Sequence, residues 1–342
     1  MDATSEAQIH GNSLPSVSVV VVNWNGGELL RACVSSVLEH PPACGAELIV
    51  VDNDSTDGSL AWLRELSALQ TNGRVEVRLI ENGANLGFGL ANNRAFTVAR
   101  GEFLLLLNAD AEVGPGDVDR MLAAIRSDPR IGAVAPRVIH RNGVLQPNAG
   151  RTDDTPLDIL LLAGLRIDRW LPTQARRKLP YVATWDHECV RDVPYATATV
   201  LMVRTGVVAA VGGFDPRFHM YSEDREWSVR MRQAGWRLRF VPTVSVVHAM
   251  HAFSTKRWTP EERFIVGVYH LLLHWSVSYG RTRALANAAA HGAVLSTSLL
   301  KRTMLRQPTG FIRTALRMQL GFIRSRGGRI PPLGPMRDAL VA

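Results

Sequence analysis

Phe103–Glu112 reads FLLLLNADAE: five apolar residues, Phe103 to Leu107, then Asn108, Ala109 and Asp110. Such a run is far short of the roughly 20 residues that span a bilayer and suits one strand buried on both faces. Gly114, Pro115 and Gly116 follow as turn signals. Polar groups at the carboxyl end of a buried parallel strand stand where open α/β sheets take their ligands. A carboxylate at that place, Asp110, suits a divalent cation that in turn holds a diphosphate.

Working outward, Val17–Val22 (VSVVVV) is another β-branched run, ending in Asn23, Trp24, Asn25, Gly26 and Gly27. A helical pattern from Glu28 to Glu39 is closed by Pro41 and Pro42. Leu48–Val51 is a second strand with a polar cap, Asp52 to Gly58. A helix from Ser59 to about Leu69 and a strand over Val75–Ile80 come next. Asn82–Asn93 (NGANLGFGLANN) reads as a Gly/Asn-rich loop opening into a helix that carries Arg94 to Arg100. This alternation predicts an α/β fold with a doubly wound, mostly parallel sheet flanked by helices, and a nucleotide-binding half over about 16–135.

Downstream, a helix is expected over Asp117–Ser127 and a short strand over Ile131–Val134. Residues 136–194 are irregular and predict no fold. Strand character resumes at Thr199–Arg204, a helix at Glu223–Gly235, and two short strands at Leu238–Val241 and Val244–Val247 lead to His248. Residues 1–15 read as a flexible leader.

With 46% hydrophobic and 20% charged residues over 342 positions, the chain has ample material for a core, which excludes gross disorder. Cys33, Cys44 and Cys189 form no CxxC pair and no zinc spacing, and fit a reducing compartment. The first residues lack a secretory pattern, so a cytoplasmic location is the expectation. A formal charge of +8 points to an anionic partner. It is concentrated at the end: fourteen cations from Lys256 to Arg337 stand against Glu261, Glu262 and Asp338. Phe311, Ile312, Leu316, Leu320, Phe322 and Ile323 recur among those arginines at helical spacing, which suits a helix lying on an anionic membrane surface. Helices that merely pack together, as in a homodimer, are the plainer reading. A basic nucleic-acid-binding protein would interleave more stacking aromatics than Phe311 and Phe322, so no nucleic-acid partner is expected.

Three polar strand ends, Asn23–Asn25, Asp52–Asp57 and Asn108–Asp110, would meet at one sheet edge. Taken singly, Ser55 or Asp57 is as well explained as a helix cap. Convergence of three is harder to explain by packing, because a core has no use for them. Glu223 and Asp224 head a helix; the plain reading is an acidic first turn facing the helix dipole, with Glu226 and Arg230 as an i,i+4 pair. His248 and His251 follow a strand, where a lone histidine is more often a hydrogen-bonded structural residue.

In this order, VSVVVVNWNG, LIVVDNDSTDGS, ENGANLGFGLANN, FLLLLNAD and FHMYSEDREWSVRMRQAGW resemble glycosyltransferase family 2, over about residues 16–255. The resemblance implies a GT-A fold and inverting transfer of a sugar from a nucleotide donor. It divides the chain into a GT-A domain (16–255, with an acceptor half over about 136–255) and a helical basic extension (256–342). Within the family the motifs look most like the rhamnosyltransferase branch of bacterial envelope synthesis. That implies dTDP-L-rhamnose as donor and a polyprenyl-diphosphate-linked N-acetylglucosamine as acceptor, at the inner face of the plasma membrane. Galactofuranose, glucose or mannose is the alternative sugar. Carried onto these positions, Asp110 binds Mg²⁺ or Mn²⁺ with the donor diphosphate, and His248 touches the metal or diphosphate. Asn108 stands where the family's DxD motif has an aspartate and brings no charge. Asp52 accepts from the base with Asn53 and Ser55 nearby, and Asn23 and Trp24 border the base or ribose. Asn85, Gly87 and Asn93 shape the loop beside the diphosphate, glycine permitting close approach. Asp224 is the base that deprotonates the acceptor, with Glu223 beside it raising its pKa.

Overall fold

A computed structural model describes residues 16–69, 74–150, 155–164, 172, 187–249, 259–327 and 330. The leader, His251, Arg329 and Arg337 lie outside the described residues, as does much of the stretch for which the sequence predicts no fold. Strand β1 (Val17–Asn23), helix α1 (Gly27–Glu39), β2 (Ala46–Asp52), α2 (Ser59–Ala68) and β3 (Val75–Glu81) alternate as expected. Helix α3 (Phe88–Phe96), β4 (Phe103–Leu107), the two-residue β5 (Ala111–Glu112), α4 (Asp117–Arg126) and β6 (Ile131–Ile139) follow. Then come β7 (Leu145–Gln146), β8 (Ala149–Gly150), and α5 (Pro156–Asp158), which runs into a π-helical turn over Ile159–Gly164. Next are β9 (Arg191–Asp192), β10 (Tyr195–Ala196), β11 (Val200–Arg204), α6 (Thr205–Val211), α7 (Glu223–Gln233) and β12 (Arg237–His248). Three long helices close the described chain: α8 (Pro260–Ser278), α9 (Arg281–Met304) and α10 (Gly310–Arg324).

The main sheet runs β3-β2-β1-β4-β11-β6-β12-β5. Strands β1 to β4 are mutually parallel, β12 is parallel to β6, and β11 is antiparallel to both its neighbours. It is a mixed, mostly parallel sheet flanked by helices. Its strands β2 and β4 are buried at every position because both faces are covered, one by the cluster around Leu30, Val34 and Met121, the other by that around Ala91, Phe214 and Trp227.

Three sequence expectations need correcting. The NGANLGFGLANN stretch is not loop throughout: α3 begins at Phe88 and ends at Phe96, short of Arg100. Asparagine and glycine are poor helix formers, but Ala91 and Ala95 are fully buried against the aromatic cluster, and that packing overrides propensity. The two strands before His248 are one, β12, which passes Pro242 by a register shift between Val241 and Ser245. The apolar stripe of α10 is not free to lie on a membrane. Ile312, Met318 and Phe322 are buried in a separate cluster with Ile265, Leu272 and Trp275 of α8, and only Leu320 of the stripe is well exposed.

Candidate active site

Parallel pairing sets the site. Asn23 pairs with Asp52, and Val20 with Leu106, so the polar ends of β1, β2 and β4 arrive at one edge. Asn23 is fully buried, its Nδ2 2.7 Å from Asp52 Oδ2 and 2.9 Å from both Ser55 Oγ and Ser59 Oγ. Its Oδ1 accepts from Gly26 N at 3.1 Å. Asn23 is thus the tie between two strand ends, and half-buried Trp24 is the neighbour left at the rim. Asp52 Oδ1 accepts from Ser55 N at 2.9 Å, which leaves further lone pairs on each oxygen. Asn53 is a clip: its Nδ2 donates to Gly87 O at 3.2 Å and its Oδ1 accepts from Asn82 Nδ2 at 2.6 Å.

The glycine-rich segment makes a close approach to another part of the chain. Gly87 has φ +81°, and a Cβ on it would lie 2.5 Å from the carbonyl oxygen of His219 and 2.8 Å from its Nδ1. The backbone that needs this close approach belongs to the segment leading into α7. Asn85 Oδ1 accepts from Gly87 N at 3.0 Å and does shape this loop. Asn93 does not border it: from within α3 its side chain donates to Phe214 O and accepts from Phe214 N, both at 2.8 Å. Gly87→Ala should therefore destabilise the fold by about 1–3 kcal/mol, through left-handed strain and the clash together. Urea unfolding checks this, and an unchanged midpoint would contradict the contact.

Asp110 follows β4 in a turn closed by Ala111 N to Asn108 O at 2.9 Å. Pairing of β5 with β12 sets Ala111 opposite His248, and Ala249 N donates to Asp110 O at 2.9 Å. His248 Nε2 consequently lies 3.0 Å from Asp110 Oδ1 and 3.3 Å from Asn108 Nδ2. Asp110 Oδ1 is buried and makes no hydrogen bond. A carboxylate oxygen without a donor beside an imidazole nitrogen fits a divalent cation. No cluster of three or more His, Cys, Asp or Glu suited to a metal occurs among the described residues. The protein donors therefore fit an ion shared with a diphosphate and water, the usual manner of Mg²⁺, and not a closed cage.

Glu223 and Asp224 open α7 after two successive non-glycine residues in the left-handed region, Tyr221 (φ 71°) and Ser222 (φ 66°). Each such residue costs about 1–3 kcal/mol, and packing further along the helix holds the turn. Trp227 is fully buried 4.6 Å from the Phe214 ring, and its Nε1 donates to Gly212 O at 2.9 Å. Asp224 accepts from Arg225 N at 2.8 Å and from Ala198 N at 3.3 Å. Burial raises its pKa above the usual Asp range, against the pull of Arg225 and these two amides. Burial and the Asp224 charge together push Glu223 up to about 8. Both carboxyls are thus held above their ordinary ranges, and the pair shares its protons as one unit.

Thr197–Val200, which the sequence reading did not single out, joins the two acidic places. Ala198 N meets Asp224, and the next residue's carbonyl, Thr199 O, accepts from Asn108 N at 2.9 Å. Tyr195 was also missed; its hydroxyl accepts from Arg225 at 2.7 Å, and the guanidinium lies 4.3 Å from the ring centroid. A further missed residue is Gln146, whose Oε1 is 2.9 Å from His248 Nδ1. None of these lies in a motif, and only the sheet register brings them in. A cavity of about 590 Å³ behind α7, lined by Gly212–Arg217, Arg230 and Val277, holds none of the strand-end side chains.

A sheet of this order, with polar strand ends and an acidic helix start linked across one segment, defines a GT-A type glycosyltransferase. Solved structures of similar fold include a mannosyltransferase of Pyrobaculum calidifontis determined with GDP-Man and Mn²⁺. It matches with TM-score 0.55 and 19% identity, covering 92% of this chain and 87% of its own. Residues 1–349 of Staphylococcus aureus TarS match with TM-score 0.54 and 15% identity, over 91% and 88%. At those identities the likeness is one of fold. The family model for glycosyl transferase family 2 matches residues 18–180. N-acetylglucosaminyl-diphospho-decaprenol L-rhamnosyltransferase of Mycobacterium tuberculosis is 30% identical over 252 residues, 67% of this chain and 75% of that protein. A hexosyltransferase of low-salt glycan biosynthesis from Haloferax volcanii is 22% identical over 70% of this chain and 69% of its own. The chain belongs to glycosyltransferase family 2.

Proposed function

We propose that this chain transfers L-rhamnose from dTDP-L-rhamnose, with inversion, to a polyprenyl-diphosphate-linked N-acetylglucosamine. The observation that supports this reading is that one segment, Thr197–Val200, meets Asp224 through Ala198 N and Asn108, two residues before Asp110, through Thr199 O; Asp110 is taken as the donor-side group and Asp224 as the acceptor-side group. Asp52 and Trp24 receive the base and ribose at the ends of β1 and β2. Asp110 and His248 would hold a Mg²⁺ or Mn²⁺ ion, which when bound offsets the charge of the departing diphosphate. Asp224 accepts the proton of the acceptor hydroxyl as that oxygen bonds to the anomeric carbon. The bond from that carbon to the diphosphate oxygen breaks, and its electron pair leaves with the nucleotide.

The choice of rhamnose and of a lipid-linked acceptor is supported by likeness to the mycobacterial N-acetylglucosaminyl-diphospho-decaprenol L-rhamnosyltransferase. Purified protein offered dTDP-rhamnose, UDP-galactofuranose, UDP-glucose and GDP-mannose, each with and without Mn²⁺, tests it. Preferential turnover of dTDP-rhamnose is expected, and preference for another donor would replace the assignment.

A membrane surface is the corresponding partner. No helix among the described residues is long and apolar enough to cross a membrane. The end of α9 instead exposes Leu300 (59%), Met304 (74%) and Leu305 (56%) beside Lys301, Arg302 and Arg306. Apolar side chains among cations, with no acidic residue from Arg263 to Arg337, match the surface of an anionic leaflet. Replacing Leu300, Met304 and Leu305 together by serine should lower sedimentation with phosphatidylglycerol vesicles at least tenfold while leaving the melting temperature unchanged. Unchanged vesicle binding would exclude this tip as the contact.

A further inference from the structure

The geometry points to Gln146 as a positioning residue that fixes which nitrogen of His248 faces Asp110. This rests on reading Asp110 and His248 as the cation-binding pair. A neutral imidazole has one N–H donor and one lone-pair acceptor, and its neighbours decide which nitrogen is which. On one side, His248 Nδ1 is 2.9 Å from Gln146 Oε1, a carbonyl oxygen that only accepts. The proton therefore sits on Nδ1. On the other side, Nε2 is 3.3 Å from Asn108 Nδ2, an amide nitrogen that only donates. The two contacts, from separate parts of the chain, select the same tautomer.

That tautomer accounts for the orphaned carboxylate oxygen. With the proton on Nδ1, the Nε2 lone pair faces Asp110 Oδ1 at 3.0 Å with no hydrogen between them, and Oδ1 accordingly has no hydrogen bond. A carboxylate oxygen and an unprotonated imidazole nitrogen this close repel, and a cation placed against both relieves the repulsion. Without Gln146 the ring is free to carry its proton on Nε2 and donate it to Asp110, so that the pair satisfies itself and loses its attraction for metal. Gln146 keeps the pair open.

The fold places Gln146 for this role by strand register. Strand β6 lies between β7 and β12: Ile139 pairs with Leu145 on one side and with Val247 on the other. Strand β7 is antiparallel to β6 and β12 parallel to it, so Gln146 stands opposite Val138 while His248 lies one residue past the Ile139 pair, and their side chains meet across the end of β6. The tight connection before β7, with Gly143 at φ +78° and His140 N donating to Val144 O at 2.8 Å, fixes that register.

Two measurements on the full chain test the assignment. The first is the ring ¹⁵N spectrum of metal-free protein labelled at histidine, with the His248 resonances identified by their loss in His248→Ala. The second is Mn²⁺ affinity in the presence of dTDP, read from the free-Mn²⁺ paramagnetic resonance signal. Recorded at a pH high enough that the ring is neutral, wild type should show the Nδ1–H tautomer. Gln146→Leu should move the proton to Nε2 and weaken Mn²⁺ binding by about 10–100-fold, as loss of an outer-shell partner does elsewhere. Gln146→Glu, which still accepts from Nδ1, should keep the tautomer and stay within a few-fold of wild-type affinity. An Nε2–H tautomer in wild type would overturn the proposal, as would unweakened Mn²⁺ binding by Gln146→Leu. If Gln146→Leu does not fold, the wild-type and Gln146→Glu spectra decide alone. Wild type failing to bind Mn²⁺ with dTDP would remove the cation-pair reading itself, a result distinct from failure of the Gln146 assignment.

Discussion

Asp224→Asn should lower turnover by about 10²–10⁴-fold, the span over which a positioned general base contributes, with nucleotide affinity unchanged. The substitution keeps the shape of the side chain and the stronger of its two backbone contacts, the amide oxygen accepting from Arg225 N; it gives up acceptance from Ala198 N, the longer contact, together with the capacity to take a proton. Its neighbour is not interchangeable with it. Glu223 is buried with Oε2 unpartnered, and burial with the Asp224 charge pushes it up to about 8, so most of it carries a proton at neutral pH. The pH profile separates the two further. Asp224 accepts a proton only when ionised, so the rate should rise with pH through the Asp224 pKa, at a value above the ordinary 3.8 because burial raises it. Glu223→Gln should preserve that acid limb and most of the turnover, since a neutral group replaces a neutral group. Steady-state kinetics with a calorimetric nucleotide titration checks both variants. Near-normal turnover by Asp224→Asn would move the base elsewhere.

Which parts could be read from the chain follows from the physics of each element. Strands β1, β2 and β4 were legible because burial on both faces produces unbroken apolar runs, and their polar ends were legible because nothing else explains polar residues there. What pairs with those ends was not. His248 reaches Asp110 through β5, a strand of two residues that leaves no periodicity to detect. Pro242 broke the pattern of β12 although a bulge carries the strand past it. Gly87 announced a close approach but not its partner, because His219 lies 132 residues away and meets it only through the packing of α3 and α7. Asn53 and Asn93 had the composition of ligand-loop residues, yet both use their amides to hold backbone and side-chain groups of other segments. The tail shows the converse error. An amphipathic stripe signals burial against something apolar, and in α10 that something is α8 together with α9. The exposed apolar group stands instead at the end of α9, a place periodicity does not mark.

Asp110→Ala should abolish the metal-dependent part of nucleotide binding, at least a tenfold loss of affinity with Mn²⁺ present, and with it detectable transfer. The expected effect on stability has the opposite sign from that of an ordinary buried hydrogen-bonded carboxylate. Asp110 Oδ1 is buried with no donor, and the side chain faces the lone-pair side of His248, so in the absence of metal it is a cost to the folded state. The backbone contacts of the position, Ala249 N to Asp110 O among them, survive truncation. Metal-free Asp110→Ala should therefore melt no lower than wild type, and added Mn²⁺ with dTDP should raise the wild-type midpoint alone, since binding to the folded state stabilises it by mass action. A scaffolding aspartate would show the reverse pattern, a lower melting temperature with nucleotide affinity intact. Equal Mn²⁺-dependent dTDP affinity in both proteins would remove Asp110 from the donor site, and the strand end from which the fold was first read would lose its chemical role.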